Sequence, residues 1–338
     1  MGCKASWFRA AWAAAALVLG GAAFAAETIT VYTSYEEDEL AAFLKAAKAD
    51  IPDLDVKALR LSTGDLGARI LAEAGNPQHD VVMGWAVTNL VDPRMLALLE
   101  AYAPKGIETV PAQFRDPDGK WFAVTGYMAA LCVNNERIKA KNLPMPKSWA
   151  DLTNPAYKGE IVMPNPASSG TGYIQIASIL QMKGEEAGWA YLKDLDKNIA
   201  QYIKSGSRPC NTASAGEYAI GASFALRAIK NIAEGYPITM VIPAEGAGNE
   251  LEANALVAAS KKKGAAKRFL DWTLSPNAVK EYYNWKEIVT ISGGAMPERF
   301  VKAGMPKDFA SVMYKMDFAA SARERQPILA RWQKEIER

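Results

Sequence analysis

Apolar and polar positions along the chain fall into a recurring unit: a short strand-like run, a small polar loop, then an amphipathic helix. Glu27 to Thr33 (ETITVYT) alternates and runs into Ser34-Tyr35-Glu36-Glu37. Asp38 to Asp50 then sets Leu40, Phe43, Leu44 and Ala47 at helical spacing. Acidic residues crowd the first turn of this helix, where its dipole favours them. A second unit has Asp55 to Leu61 as strand, Ser62-Thr63-Gly64-Asp65 as turn and cap, and Leu66 to Ala74 as helix. A third has Asp80 to Met83 as strand, Gly84 to Thr88 as loop, and a helix ending near Leu99. Strands alternating with helices specify βαβ units on a largely parallel sheet.

The pattern changes after Tyr102. Pro104, Gly106, Pro111, Pro117 and Gly119 mark irregular connections, and Trp121 to Asn134 is one long apolar, strand-like run. A run of that length predicts a crossover between two lobes. A second α/β series follows: Gly159 to Pro164 as strand, Asn165 to Gly172 as loop, and helices over Tyr173 to Lys183 and Glu185 to Leu195. Tyr236 to Ile242 reads as a strand, and Asn254 to Ala259 as the return strand into the first lobe. Ala265 to Trp285 predicts two helices broken at Ser275-Pro276, and the tail from Phe309 is helical. A chain of 338 residues splits into two domains more readily than it grows one core.

Residues 1–26 stand apart. Lys4 and Arg9 precede an apolar stretch from Ala10 to Leu19, and Ala23-Phe24-Ala25 supplies small residues for cleavage after Ala25 or Ala26. This predicts a secretory signal peptide, since the apolar stretch is shorter than the ~20 residues of a spanning helix. Removing it leaves 39 − 2 = 37 basic against 37 acidic residues. A neutral chain gives no footing to nucleic acid or to an anionic membrane as partner. Export permits a disulfide between Cys132 and Cys210, yet two separate buried thiols fit the sequence equally. With one histidine, His79, read as a turn residue, these cysteines are too few for a zinc site.

In parallel α/β sheets ligands sit where strands lead into helices. Here those loops are Thr33-Ser34-Tyr35, Ser62-Thr63-Gly64, Ser168-Ser169-Gly170-Thr171-Gly172 and Ser205-Gly206-Ser207. Hydroxyls, glycines and free N–H groups at helix starts form cradles for tetrahedral oxyanions. The same residues are ordinary caps and turns, but the Asn165 to Gly172 loop holds more small polar residues than a cap requires. Enzyme readings fare poorly. Gly221-Ala222-Ser223-Phe224-Ala225 lacks the closing glycine of a nucleophile elbow. His79 precedes its strand, at the wrong edge of the sheet for a triad, and no Walker, Rossmann or HExxH motif is present.

The stretches YKGEIVMPNPASSGTGY (Tyr157 to Tyr173), GWAYLKDLDKNIAQYIKSGSRPC (Gly188 to Cys210) and GEYAIGASFALRA (Gly216 to Ala228) resemble periplasmic 2-aminoethylphosphonate-binding proteins. AKRFLDWTLSPNAVKEYY and MDFAASARERQPILARW fit the same pattern, so the resemblance covers nearly all of the chain after residue 26. It implies an α/β, two-lobed periplasmic binding fold of type II, each lobe a central mixed sheet flanked by helices, joined by two crossover segments. Lobe 1 is expected over 27–126 and 245–300, and lobe 2 over 127–244 and 301–338. The resemblance further implies a periplasmic monomer that passes a small anionic or zwitterionic organophosphonate to an inner-membrane ABC permease, with no cofactor and no catalysis.

Residue by residue, the anionic head falls to Ser62, Thr63, Gly64, Ser168, Ser169, Gly170, Thr171, Ser205, Ser207 and Ser223. Tyr35, Trp85 and Phe224 are expected as walls, and Glu252 is favoured over Glu36 and Glu37 to meet an ammonium. Arg208 is expected to be solvated. Ferric-iron binders of the same clan carry adjacent tyrosines where this chain has Ser223-Phe224; the exchange removes two phenolates that Fe³⁺ would need, so iron or another metal is the alternative cargo rather than the first. Asn249 stands where the phosphonate group has tryptophan, and the TSYEEDEL and Gly84-Trp85 segments also depart from its pattern.

Overall fold

The structure is a computed structural model and describes residues 26–337. The expected signal peptide lies outside the described residues except for Ala26. Lobe 1 begins with β1 (Glu27–Thr33), β2 (Leu54–Arg60) and β3 (Val81–Ala86), and β1 lies parallel between the other two. The helices Glu37–Asp50 and Thr63–Ala72 follow the first two strands, as the spacing predicts.

The third unit departs from expectation. β3 continues through Gly84 and Trp85, which were read as loop. Against its neighbouring strand the register shifts by one residue at this point, so Gly84, at φ +63°, is a bulge inside the strand. The helix expected up to Leu99 is two short ones, Val87–Leu90 and Pro93–Leu96, parted at Asp92-Pro93, where the aspartate caps the second. A short strand, β4 (Leu99–Glu100), follows.

β5 (Trp121–Asn134) is the element on which the architecture turns. Lobe 2 adds β6 (Ile161–Pro164), β7 (Ile199–Ile203), β8 (Ile220–Phe224) and β9 (Ile238–Val241), and the chain returns through β10 (Asn249–Val257). A last strand, β11 (Ile288–Val289), pairs with β5. The first half of β5 pairs antiparallel with β10, from Asn249↔Met128 to Ala255↔Trp121, and its second half pairs antiparallel with β8 and β9. One strand thus belongs to two sheets, along the path β2-β1-β3-β10-β5-β8-β6-β7. Residues 128–134 are buried on both faces, which is why the sequence shows an unbroken apolar run there instead of alternation.

β10 starts five residues before the expected return strand. Its polar beginning, Asn249, Glu250 and Glu252, concealed a segment that is buried throughout. Lobe 1 packs around Phe43, Phe269 and Tyr282, and lobe 2 around Trp149, Trp189 and Trp332. The tail touches both lobes: helix Phe318–Arg323 packs on Val87–Leu90, while Trp332 on helix Arg325–Glu335 enters the lobe 2 core.

Cys132 and Cys210, left open by the sequence, are disulfide-bonded in lobe 2, tying β5 to the short helix Arg208–Ser214 across 78 residues. Closing a loop of that size restricts the unfolded chain by about 4 kcal/mol in the chain-entropy account. The Cys132→Ala/Cys210→Ala double variant is expected to lose about that much stability in denaturant unfolding. A loss below about 1 kcal/mol would contradict this role for the bond.

Candidate functional site

Parallel strands deliver their helices at one edge, and the two lobes turn those edges toward each other across a cleft. Helix Thr63–Ala72 starts on the lobe 1 side and helix Gly170–Lys183 on the lobe 2 side. Between them lies a small cavity of about 40 Å³. Ser62 and Thr63 form one wall, Ser169, Gly170 and Thr171 the other, with Ser34 and Gly206 beside them. Ser62 occupies the N-cap position in extended geometry, yet its hydroxyl makes no capping bond. Ser169 does cap, accepting from the Gly172 N–H at 3.3 Å.

The walls approach so closely that glycine is required at the contacts. A Cβ at Gly64 would lie 1.9 Å from the Ala167 carbonyl oxygen, and one at Gly170 would lie 2.6 Å from Thr63 Oγ1. The Gly64 N–H donates across the cleft to the Ser168 carbonyl at 2.8 Å. Two ion pairs also bridge the lobes, Arg227 to Glu36 at 3.2 Å and Lys230 to Asp38.

The rest of the cleft carries charge. Arg60 donates to the Tyr35 carbonyl at 3.0 Å and to Glu36 at 2.8 Å. Deeper in, Lys286 lies 2.9 Å from Glu39 Oε2 and 3.0 Å from both Glu252 oxygens, above the Tyr35 ring. Thr125 donates to Glu252 at 2.7 Å and shares a hydrogen bond with the Tyr35 hydroxyl. Burial pushes the Glu39 carboxyl up to about 7, against the opposing pull of the Lys286 ammonium. Burial alone would lower Lys286, but Glu252 and Glu39 hold its ammonium above the ordinary lysine value. Tyr127, whose hydroxyl bonds with Thr171, is raised well above the usual phenol by burial and by Glu250 and Glu252.

Of the residues singled out from sequence, Glu36, Ser62, Thr63, Ser169, Gly170, Thr171, Phe224 and Glu252 line the cavity. The others stand off it. Trp85 is a core residue 1% exposed, its indole N–H donating to the Thr63 carbonyl at 3.0 Å, so it braces the helix start from behind. Tyr35 is buried between Phe43 and Lys286 and lines no part of the cavity. Ser168 Oγ donates to the Lys204 carbonyl at 3.0 Å, and Ser223 Oγ to the Gly206 carbonyl at 2.7 Å. Ser205 and Ser207 bond to each other at 3.0 Å, so these four hydroxyls are spent inside lobe 2. Gly64 serves as the contact between lobes. Glu36, on the cavity wall, closes a reciprocal capping box with Glu39 and is held by Arg60 and Arg227. Glu37 and Arg208 are exposed. His79 lies in the loop before β3, but it is buried. It stacks on Tyr32 with ring centroids 4.1 Å apart, and burial pushes it down to about 4.

Arg60, Tyr127, Lys286 and Glu39 were not anticipated. Glu39 alone left a signal, because it heads the stripe Glu39, Phe43, Ala47 on the buried face of its helix. Among the described residues no group of three His, Cys, Asp or Glu side chains is placed to hold a metal ion, and no helix is long and apolar enough to cross a membrane.

Comparison with known proteins agrees with this architecture. The model of the family "bacterial extracellular solute-binding protein" matches residues 86–284. A probable ABC transporter periplasmic-binding protein of Sinorhizobium fredii is 28% identical, over 80% of this chain and 76% of its own. The periplasmic binding protein AfuA of Actinobacillus pleuropneumoniae, solved with fructose-6-phosphate bound, superimposes with a TM-score of 0.83 at 30% identity, covering 92% of this chain and 99% of AfuA. The ferric binding protein of Campylobacter jejuni shares the fold, with a TM-score of 0.74 at 21% identity over 91% of this chain and 99% of its own. The chain belongs to the bacterial extracellular solute-binding protein family.

Proposed function

We propose that this protein is the periplasmic solute-binding component of an ABC importer, and that its ligand is a small organic molecule ending in a phosphonate or phosphate, with 2-aminoethylphosphonate as the leading candidate. The observation that carries this reading is the pair of helix starts facing one cavity from opposite lobes, dressed with Ser62, Thr63, Ser169, Gly170 and Thr171. Helix N-termini present N–H groups and partial positive charge, and an oxyanion is the ligand such a pair suits best. A hydrogen bond to a charged group contributes roughly 1.5–3 kcal/mol, and a micromolar complex needs about 8 kcal/mol net. A handful of neutral donors therefore suffices, without a dedicated arginine. The sugar phosphate named in the AfuA structure supports a phosphorus oxyanion as the shared element, and the sequence resemblance supports the aminoethyl tail.

Ferric iron is the less suited cargo. Among the described residues the one phenol on the cavity wall, Tyr127, is held protonated by burial and two neighbouring carboxylates, whereas Fe³⁺ requires anionic oxygen ligands.

Calorimetric titration with 2-aminoethylphosphonate, methylphosphonate, fructose 6-phosphate, inorganic phosphate and Fe³⁺ is the direct check. Micromolar binding of 2-aminoethylphosphonate is expected, with weaker binding of the small head-only anions. Absence of binding by every phosphorus compound, or a coloured Fe³⁺ complex, would overturn the reading. Gly64→Ala gives an independent check. Its methyl meets Ala167 only when the lobes are together, so ligand affinity should fall at least about tenfold while unliganded thermal stability stays near wild type. Unchanged affinity would contradict closure across this contact.

A further inference from the structure

The cleft is electrically lopsided. Near its mouth two guanidiniums, Arg60 and Arg227, share one carboxylate, Glu36, for a formal +1. On its floor two carboxylates, Glu39 and Glu252, share one ammonium, Lys286, for a formal −1. These floor residues are 2%, 4% and 5% exposed, and all three line the cavity.

Lys286 has nothing left to offer a ligand. Its three N–H donors point into Glu252, at 3.0 Å from both oxygens, and toward Glu39, while the Tyr35 ring closes its underside at 4.1 Å. The carboxylates are not spent in the same way. Glu39 Oε2, buried in the cavity wall, is met at 2.9 Å by the Lys286 ammonium, which it has to share with Glu252. Two buried carboxylates served by one ammonium are incompletely paired, which is costly. A cation entering the cleft relieves that cost.

We infer that Glu39 and Glu252, braced by Lys286, form the subsite for an ammonium group on the ligand, so that the cleft selects zwitterions over simple anions. This rests on the reading that the facing helix starts hold the oxyanion head. Lys286 acts as a positioning residue: it fixes both carboxylates and cancels half of their charge, so the floor remains stable when the cleft is empty. Glu39, on the helix that follows β1, supplies the carboxylate that shares the Lys286 ammonium with Glu252.

The test compares three probes that share one head: 2-aminoethylphosphonate, 2-hydroxyethylphosphonate and ethylphosphonate, titrated calorimetrically into the wild-type protein and into Glu39→Gln. In the wild type the amine should bind roughly tenfold to a hundredfold more tightly than the ethyl compound, with the hydroxyl compound between them. Glu39→Gln should compress that ratio to a few-fold by weakening the amine more than the ethyl compound. Equal affinities of amine and ethyl compounds for the wild type would overturn the subsite and leave the oxyanion site standing. Binding of none of the three would overturn both. Because the wild-type ratio decides the matter alone, poor folding of the variant would not remove the test.

Discussion

A single strand shared by two sheets sets the terms for everything else in this molecule. β5 leaves the lobe 1 sheet near Met128 and enters the lobe 2 sheet at Ala129, and β10 runs back beside it. Helices are fed from the carboxyl ends of parallel strands, so the shared strand leaves the helix starts of both lobes facing one gap. The backbone N–H groups that every helix leaves unsatisfied at its start are thereby concentrated where a ligand would sit. Ser62, in cap position but not capping, and the glycines at 64 and 170, where no Cβ fits, are local consequences of that approach.

The same crossing is where ionisable groups are buried. Glu250 stands opposite Tyr127 in the β10–β5 register and is held by Thr88 and its neighbouring backbone, and Glu287 accepts from the Met128 N–H at 3.1 Å. Burial pushes both carboxyls up to about 7, as it does Glu39. A folded-state value above the unfolded one contributes stability that is complete below about pH 4.5 and lost as pH rises through about 7. The point where the lobes meet thus holds groups that favour protons, Glu39 of the Lys286 cluster among them. Buried charge of this kind serves specificity better than stability, which fits its position on the wall of a binding cleft.

Much of this was legible in the sequence, for definable reasons. The loop 168–172 declared itself because it carries more hydroxyls and glycines than a cap needs, and the periodicity of the second βα unit placed 62–64 at a helix start. β5 was legible because burial on both faces leaves a continuous apolar run. Trp85 misled because Gly84 reads as loop, while in the fold it is a bulge that lets β3 continue, with the Tyr35 ring where a Cβ would stand. Arg60 and Lys286 gave no signal: a basic residue at a strand end or after a helix looks solvent-facing until its partners, distant in sequence, are known. Ser168, Ser205, Ser207 and Ser223 have the composition of a ligand loop, but their hydroxyls bond within lobe 2, and composition cannot report direction.

The central claim is that the head of the ligand lies between two helix starts. A crystal structure of the protein with 2-aminoethylphosphonate tests it most directly. The account requires the phosphorus atom between Ser62-Thr63 and Ser169-Gly170-Thr171, its oxygens within hydrogen-bonding distance of donors from both lobes. Density for the phosphonate anywhere else, or held by one lobe alone, would contradict it.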